Sequence, residues 1–192
     1  MKKWLFALVS ALVLAMVIPA TVFASPKRSL DLTASVVAVS RTVTSLEFGE
    51  DKIETTGVAM YQGTVDASRM GKDWAKLDGS PMVAQEIYHY DLDPSCDFIT
   101  TCTILSGHVT GTMTVYAKGN GSATVNFESQ VFGDISALNG SASDMGTWEM
   151  SKASGWLHTL KDAKGTWAAQ VVAISTPYGP TFAGQAFISG TY

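Results

Sequence analysis

The feature that most constrains this chain is a period-two alternation of apolar and polar residues, in short runs that end at Gly, Asn, Asp or Pro. Val109, Met113, Val115 and Ala117 fall on one face of a strand with Gly111 among them, while Thr110, Thr112 and Thr114 fall on the other. After Gly119-Asn120-Gly121 the alternation resumes, with Ala123, Val125 and Phe127 opposite Thr124, Asn126 and Glu128. Successive strand residues point to opposite faces, so this pattern buries one face and wets the other. The Asn-Gly pair supplies the positive φ that a tight hairpin requires. The same reading places strands near residues 30–47, 52–65, 82–91, 98–105, 107–118, 122–135, 143–151, 165–175 and 183–191. Leu138-Asn139-Gly140-Ser141 marks a second tight hairpin, and Thr176-Pro177-Tyr178-Gly179-Pro180 a longer turn. Short links without crossover helices mean an antiparallel sheet, and closing it removes its exposed edges. The expected fold is therefore all-β: a single antiparallel eight- or nine-stranded barrel, preferred over a sandwich.

One segment breaks the pattern. Between Asp66 and Ser80, Met70, Trp74 and Leu77 recur at helical spacing behind a capping Asp66. It reads either as a short helix near residues 67–77 that plugs one barrel mouth, or as a surface loop whose Trp packs on the wall. Gly71 weakens the helix by about 1 kcal/mol.

The N-terminus sets the compartment. Met1-Lys2-Lys3, the apolar run Trp4 to Ile18 and the small residues of Val22-Phe23-Ala24 have the form of a cleavable signal peptide, residues 1–24. The apolar run is shorter than the roughly 20 residues of a spanning helix, so the mature protein, residues 25–192, is expected to be secreted or periplasmic and not membrane-spanning. Cleavage takes Lys2 and Lys3 from 13 basic residues and none of 17 acidic ones, which leaves a net charge of −6. With no basic stripe to follow a phosphate backbone, nucleic acid is not an expected partner. The length suits one domain.

From Gly107 onward the chain resembles the allene-oxide-cyclase-like and dirigent-like barrels, including an uncharacterised bacterial family with that fold. The residues behind the resemblance are Gly119-Asn120-Gly121-Ser122-Ala123-Thr124, then Gly155-Trp156-Leu157 with Leu160, then Gly165-Thr166-Trp167. It covers roughly half of the mature chain. It implies an eight-stranded barrel with an apolar central cavity for a small hydrophobic molecule, in which some members steer a cyclisation or coupling with a few polar side chains. Such barrels often assemble into oligomers. No catalytic motif of the family carries over residue by residue.

Cys96 and Cys102, in an exported protein, are expected to form a disulfide that pins a strand starting at Phe98. A Cys2His2 metal site with His89 and His108 is the weaker alternative, since its spacings differ from those of zinc sites. Asp91, Asp93 and Asp97 bracket Pro94 in an acidic loop that reads either as a weak Ca²⁺ candidate or as Asp side chains capping turns. Glu128, between Asn126 and Gln130, is a weak catalytic candidate if its face lines the lumen, although the apolar residues opposite make that face the natural solvent side. Tyr88 and Tyr90 share a face with Glu86 and are the other weak catalytic candidates, as pocket-lining residues or as outward residues at a rim. His158 reads as a loop residue, and the Asn-Gly-Ser sequences at Asn120 and Asn139 as turns and not glycan acceptors. No nucleophile elbow and no cofactor motif is present.

These features together point to a secreted or periplasmic barrel that binds a small, largely apolar ligand in its lumen. The alternatives are a cyclase- or isomerase-type enzyme using the same lumen, and a small outer-membrane barrel with lipid on its apolar face.

Overall fold

The computed structural model describes residues 28–192, so the signal peptide expected over residues 1–24 lies outside the described residues. Eight strands follow one another in chain order: β1 (Ser29–Phe48), β2 (Ile53–Asp66), β3 (Pro81–Leu92), β4 (Thr103–Ala117), β5 (Gly121–Asp134), β6 (Ser141–Ser154), β7 (Lys164–Thr176) and β8 (Gly179–Thr191). Each pairs antiparallel with the next, and β1 pairs with β8, so the sheet is a closed barrel. The register Ser29↔Thr191 to Val37↔Ala183 makes the closure. It covers the edges of β1 up to Val37 and of β8 from Ala183 onward.

The alternation is apolar-in and polar-out, as β3 shows most clearly. Met82, Ala84, Glu86, Tyr88, Tyr90 and Leu92 are buried, while Val83, Gln85, Ile87 and His89 between them are exposed. Glycines let large side chains cross this wall. Tyr88 lies against the backbone of β2 at Gly57, where a Cβ would collide with its hydroxyl and with the Thr42 carbonyl.

Four expectations are corrected. The strand expected over 98–105 and its neighbour are one element, β4, which begins at Thr103. Asp97 accepts from the amides of Ile99, Thr100 and Thr101, and Cys96–Cys102 closes the ring around them, so residues 97–102 form a loop. The disulfide thus pins a loop and not the start of a strand at Phe98. The positive φ of the first hairpin falls on Gly119 and Asn120, one residue earlier than an Asn-Gly turn requires. The helix expected near residues 67–77 is two single 3-10 turns, Ser68–Met70 and Lys72–Trp74, separated at Gly71 with φ 87°.

Those turns still close one end of the barrel. Trp74 and Leu77 are buried there, and the Trp74 ring meets Trp156 and Tyr192 edge-on at 6.0 and 5.4 Å. Leu157 and Leu160, from the 3-10 segment Gly155–Leu160, complete this floor. The opposite end carries the β1–β2, β3–β4, β5–β6 and β7–β8 connections, and the lumen opens there.

Candidate functional site

At the open end, β1 parts from β8. Their pairing stops at Val37↔Ala183, although β1 runs on to Phe48 and β8 begins four residues earlier, at Gly179. The cause is a bulge: Ala38 pairs with Tyr61 but Ser40 with Met60, so Val39 is an extra residue. An extra residue bends a strand and reverses which side chains face inward beyond it. Arg41, opposite the inward Ala59, therefore turns toward the lumen mouth. Its guanidinium lies 4.8 Å from the centre of the Tyr88 ring and 5.8 Å from those of Tyr90 and Phe182. This is a cation held on aromatic faces.

Below the mouth lies a cavity of about 620 Å³, within the range of small-molecule sites. Its wall is mostly apolar: Val36, Ala59, Met82, Ala84, Val109, Val131, Ala142, Ala169, Val171 and Ala186, with Phe127 stacked on Trp167 at 4.9 Å. The small residues create the space, since a larger side chain at Ala59, Ala84, Ala142, Ala169 or Ala186 would enter it. The 3-10 floor described above seals the far end.

Two carboxyls interrupt this lining, Glu86 on β3 and Asp144 on β6. The Tyr61 hydroxyl donates to Glu86 Oε1 at 2.9 Å, and the Trp167 indole N–H donates to Asp144 Oδ1 at 2.8 Å. Burial raises Glu86 from 4.5 to about 7; the Tyr61 hydrogen bond opposes the rise, Asp144 adds to it and Arg41 opposes it. Burial likewise raises Asp144 from 3.8 to about 6, against the hydrogen bonds from Trp167 and the Ala169 amide. Desolvation, followed by the charge of Glu86, holds the Tyr61 and Tyr90 phenols above their ordinary range. Near neutral pH the lumen thus holds carboxyls that are partly protonated, able to donate as well as to accept.

The sequence candidates divide. Tyr90 lines the cavity. Tyr88 faces inward but is enclosed, 1% exposed, stacked on Tyr90 at 4.9 Å, with its hydroxyl 3.4 Å from the Thr42 carbonyl it donates to. Glu128 is on the outer face, 67% exposed at its side chain, with His108 Nε2 at 3.6 Å. It edges a broad, open depression of about 980 Å³ across the outside of β3–β7, rimmed by Gln85, Thr110, Asn126 and Lys164. No sequence motif marks Glu86, Asp144, Tyr61, Trp167 or Arg41 as a site residue. Glu86 and Asp144 did leave a signal, as lone acids within inward rows: Met82-x-Ala84-x-Glu86-x-Tyr88 and Ala142-x-Asp144-x-Gly146-x-Trp148.

Cys96 and Cys102 are joined as a disulfide, which removes the Cys2His2 alternative. Asp91, Asp93 and Asp97 do not converge. Asp93 accepts from the Ser95 amide at 2.8 Å, Asp97 from its own turn, and Asp91 pairs with Lys52 at 3.1 Å. Among the described residues the metal-type ligand atoms that come together are those of Glu54, His89 and Asp91, and the Lys52 ammonium already bridges Glu54 and Asp91.

No match was found among family models, curated proteins or solved structures. The site must be read from its own chemistry. That chemistry is an apolar chamber with one open mouth, two hydrogen-bonded acids inside it and one arginine at the rim.

Proposed function

We propose that this barrel is an extracytoplasmic binding protein that takes a small, largely apolar molecule into its lumen. One observation carries the reading: the cavity of about 620 Å³, apolar over most of its wall and opening at the mouth of the barrel. Chains that need only a stable barrel fill the interior with side chains. Here alanines stand where larger residues would close the space. The Cys96–Cys102 disulfide suits an oxidising compartment. Kinship with the allene-oxide-cyclase-like and dirigent-like barrels belongs to the same proposal, and the eight-stranded closed sheet around an apolar lumen supports it.

A cyclase- or isomerase-type role in the same lumen is the second reading. What favours it is Glu86, raised to about 7 beside Tyr61 and Tyr90, since a general acid or base works best near the ambient pH. The outer-membrane alternative is disfavoured by a mixed outer face, on which Gln85, His89, Asn126, Glu128 and Gln130 stand among exposed Val83, Ile87, Met145 and Phe187, where a lipid-facing band would be apolar throughout. No helix among the described residues is long and apolar enough to cross a membrane.

Native mass spectrometry of protein purified from its own host tests the binding reading. The expected result is a retained small molecule at one copy per chain, released on denaturation. A chain that is ligand-free from its host and takes up no apolar compound from a metabolite extract would overturn it.

A further inference from the structure

We infer that the lumen selects a hydrophobic amine, with its ammonium seated between Glu86 and Asp144 and its apolar body against the Phe127–Trp167 stack. The inference rests on the proposed binding role and specifies the ligand's chemical class.

Three observations lead to it. First, the donors from Tyr61, at Glu86, and from Trp167 and the Ala169 amide, at Asp144, leave each carboxyl with lone pairs to spare, while the Tyr90 hydroxyl and the Arg41 guanidinium are donors without a hydrogen-bond partner among the described residues. Tyr61 spends its hydroxyl proton on Glu86 Oε1, and Trp167 its indole proton on Asp144 Oδ1. Among the described residues no side chain donates to the second oxygen of either carboxyl. Both acids line the cavity, and Glu86 is 8% exposed. A ligand that donates several hydrogen bonds and carries positive charge completes both groups; one that only accepts completes neither in its ionised form.

Second, the charge inside is unbalanced. The titratable or charged groups that reach this space are Glu86 and Asp144, the phenols Tyr61 and Tyr90, and, at the mouth, Arg41 and the exposed Tyr178. Arg41 lies at the rim on the faces of Tyr88, Tyr90 and Phe182, and forms no ion pair with either acid. Two buried carboxyls without a buried cation carry their charge at a cost, which a cationic ligand relieves. Third, the lining beside the acids includes the aromatic rings of Tyr90, Phe127 and Trp167, the last two stacked on each other, which give the hydrocarbon body of a ligand an apolar surface. Arg41 at the mouth repels an ammonium in passing.

Seating the ammonium favours the ionised carboxyls, so protons leave Glu86 and Asp144 for solvent on binding. The test is isothermal titration of the intact mature protein at neutral pH with three probes of equal chain length: n-octylamine, n-octanol and octanoate. The expected result is that octylamine binds at least about tenfold more tightly than octanol. Its heat should vary with the ionisation enthalpy of the buffer in the sense of proton release. Glu86→Gln and Asp144→Asn should each remove most of that preference and of the proton release, while octanol affinity stays within about twofold. Unchanged octanol binding also certifies that the variants are folded. Octanol binding as tightly as octylamine, or octanoate binding best, overturns the amine inference and leaves the apolar lumen standing. Failure of all three probes overturns the lumen reading itself.

Discussion

Glu86→Gln separates the electrostatics of the lumen from its packing, because glutamine keeps the shape and still accepts from Tyr61 but has no proton to lose. In the native protein the Glu86 carboxyl is raised from 4.5 to about 7, chiefly by burial. The folded state therefore holds its proton more tightly than the unfolded chain does, and stability must fall as pH rises through that interval. At 1.36 kcal/mol per pKa unit, the fall attributable to this one group is about 3 kcal/mol, complete above pH of about 7 and absent below about 4.5. Asp144 moves in the same direction, from 3.8 to about 6, so wild-type stability declines with pH by more than this, and the variant isolates the Glu86 share. Urea unfolding followed by tryptophan fluorescence at several pH values measures it. The two proteins should be within about 0.5 kcal/mol of one another in mild acid, and Glu86→Gln more stable by about 2 to 3 kcal/mol in mild alkali. A difference that does not change with pH, or one in which wild type gains on the variant as pH rises, would show that the carboxylate has a partner in the folded state and that the lumen is not as dry as its lining implies.

Further outcomes follow from the wall and the floor. Titration of the denatured, unreduced mature protein should find no free thiol, and reducing the Cys96–Cys102 bond, which spans a sequence separation of 6, should lower stability by about 2 kcal/mol in a urea melt without unfolding the barrel. Trp74→Ala removes the ring that meets Trp156 and Tyr192, and should lower stability by about 3 kcal/mol or more while speeding hydrogen exchange at Tyr192 and along Gly155–Leu160. Gly57→Ala places a methyl on the Tyr88 hydroxyl and the Thr42 carbonyl, and a thermal melt should show it less stable by at least about 2 kcal/mol; an unchanged melt would mean that the β1–β2 hairpin yields easily.

The barrel was legible because each strand repeats the same decision. A run such as Val109 to Ala117 can bury one face only, and eight such runs joined without crossover helices have few ways to avoid open edges. Loop 97–102 was misread because Phe98 and Ile99 look like strand residues, whereas Asp97 takes three amides that a ladder would otherwise use. The helix failed at Gly71: helical spacing of Met70, Trp74 and Leu77 places three side chains on one face, but 3-10 turns on either side of a positive φ do so as well. Glu86 and Asp144 were present in the pattern as acids on inward faces, and their meaning depended on knowing that those faces enclose space. Arg41 was not legible at all. Counting by twos from Leu30 puts it outside, and only the extra residue at Val39 turns it inward.

Uptake of an environment-sensitive apolar fluorophore by the mature protein, compared with its Ala169→Phe variant, tests the central claim most directly. Ala169 lines the cavity on β7, and a phenyl ring there occupies the space while leaving the outer face and every backbone hydrogen bond in place. With both proteins showing the same circular dichroism and cooperative melts, the account predicts saturable uptake at one fluorophore per wild-type chain, with a blue-shifted emission, and at least about tenfold weaker binding to the variant. Equal binding to the two would place the fluorophore on the outer surface, and no binding to wild type would mean that the chamber is closed to ligands; either result contradicts the account.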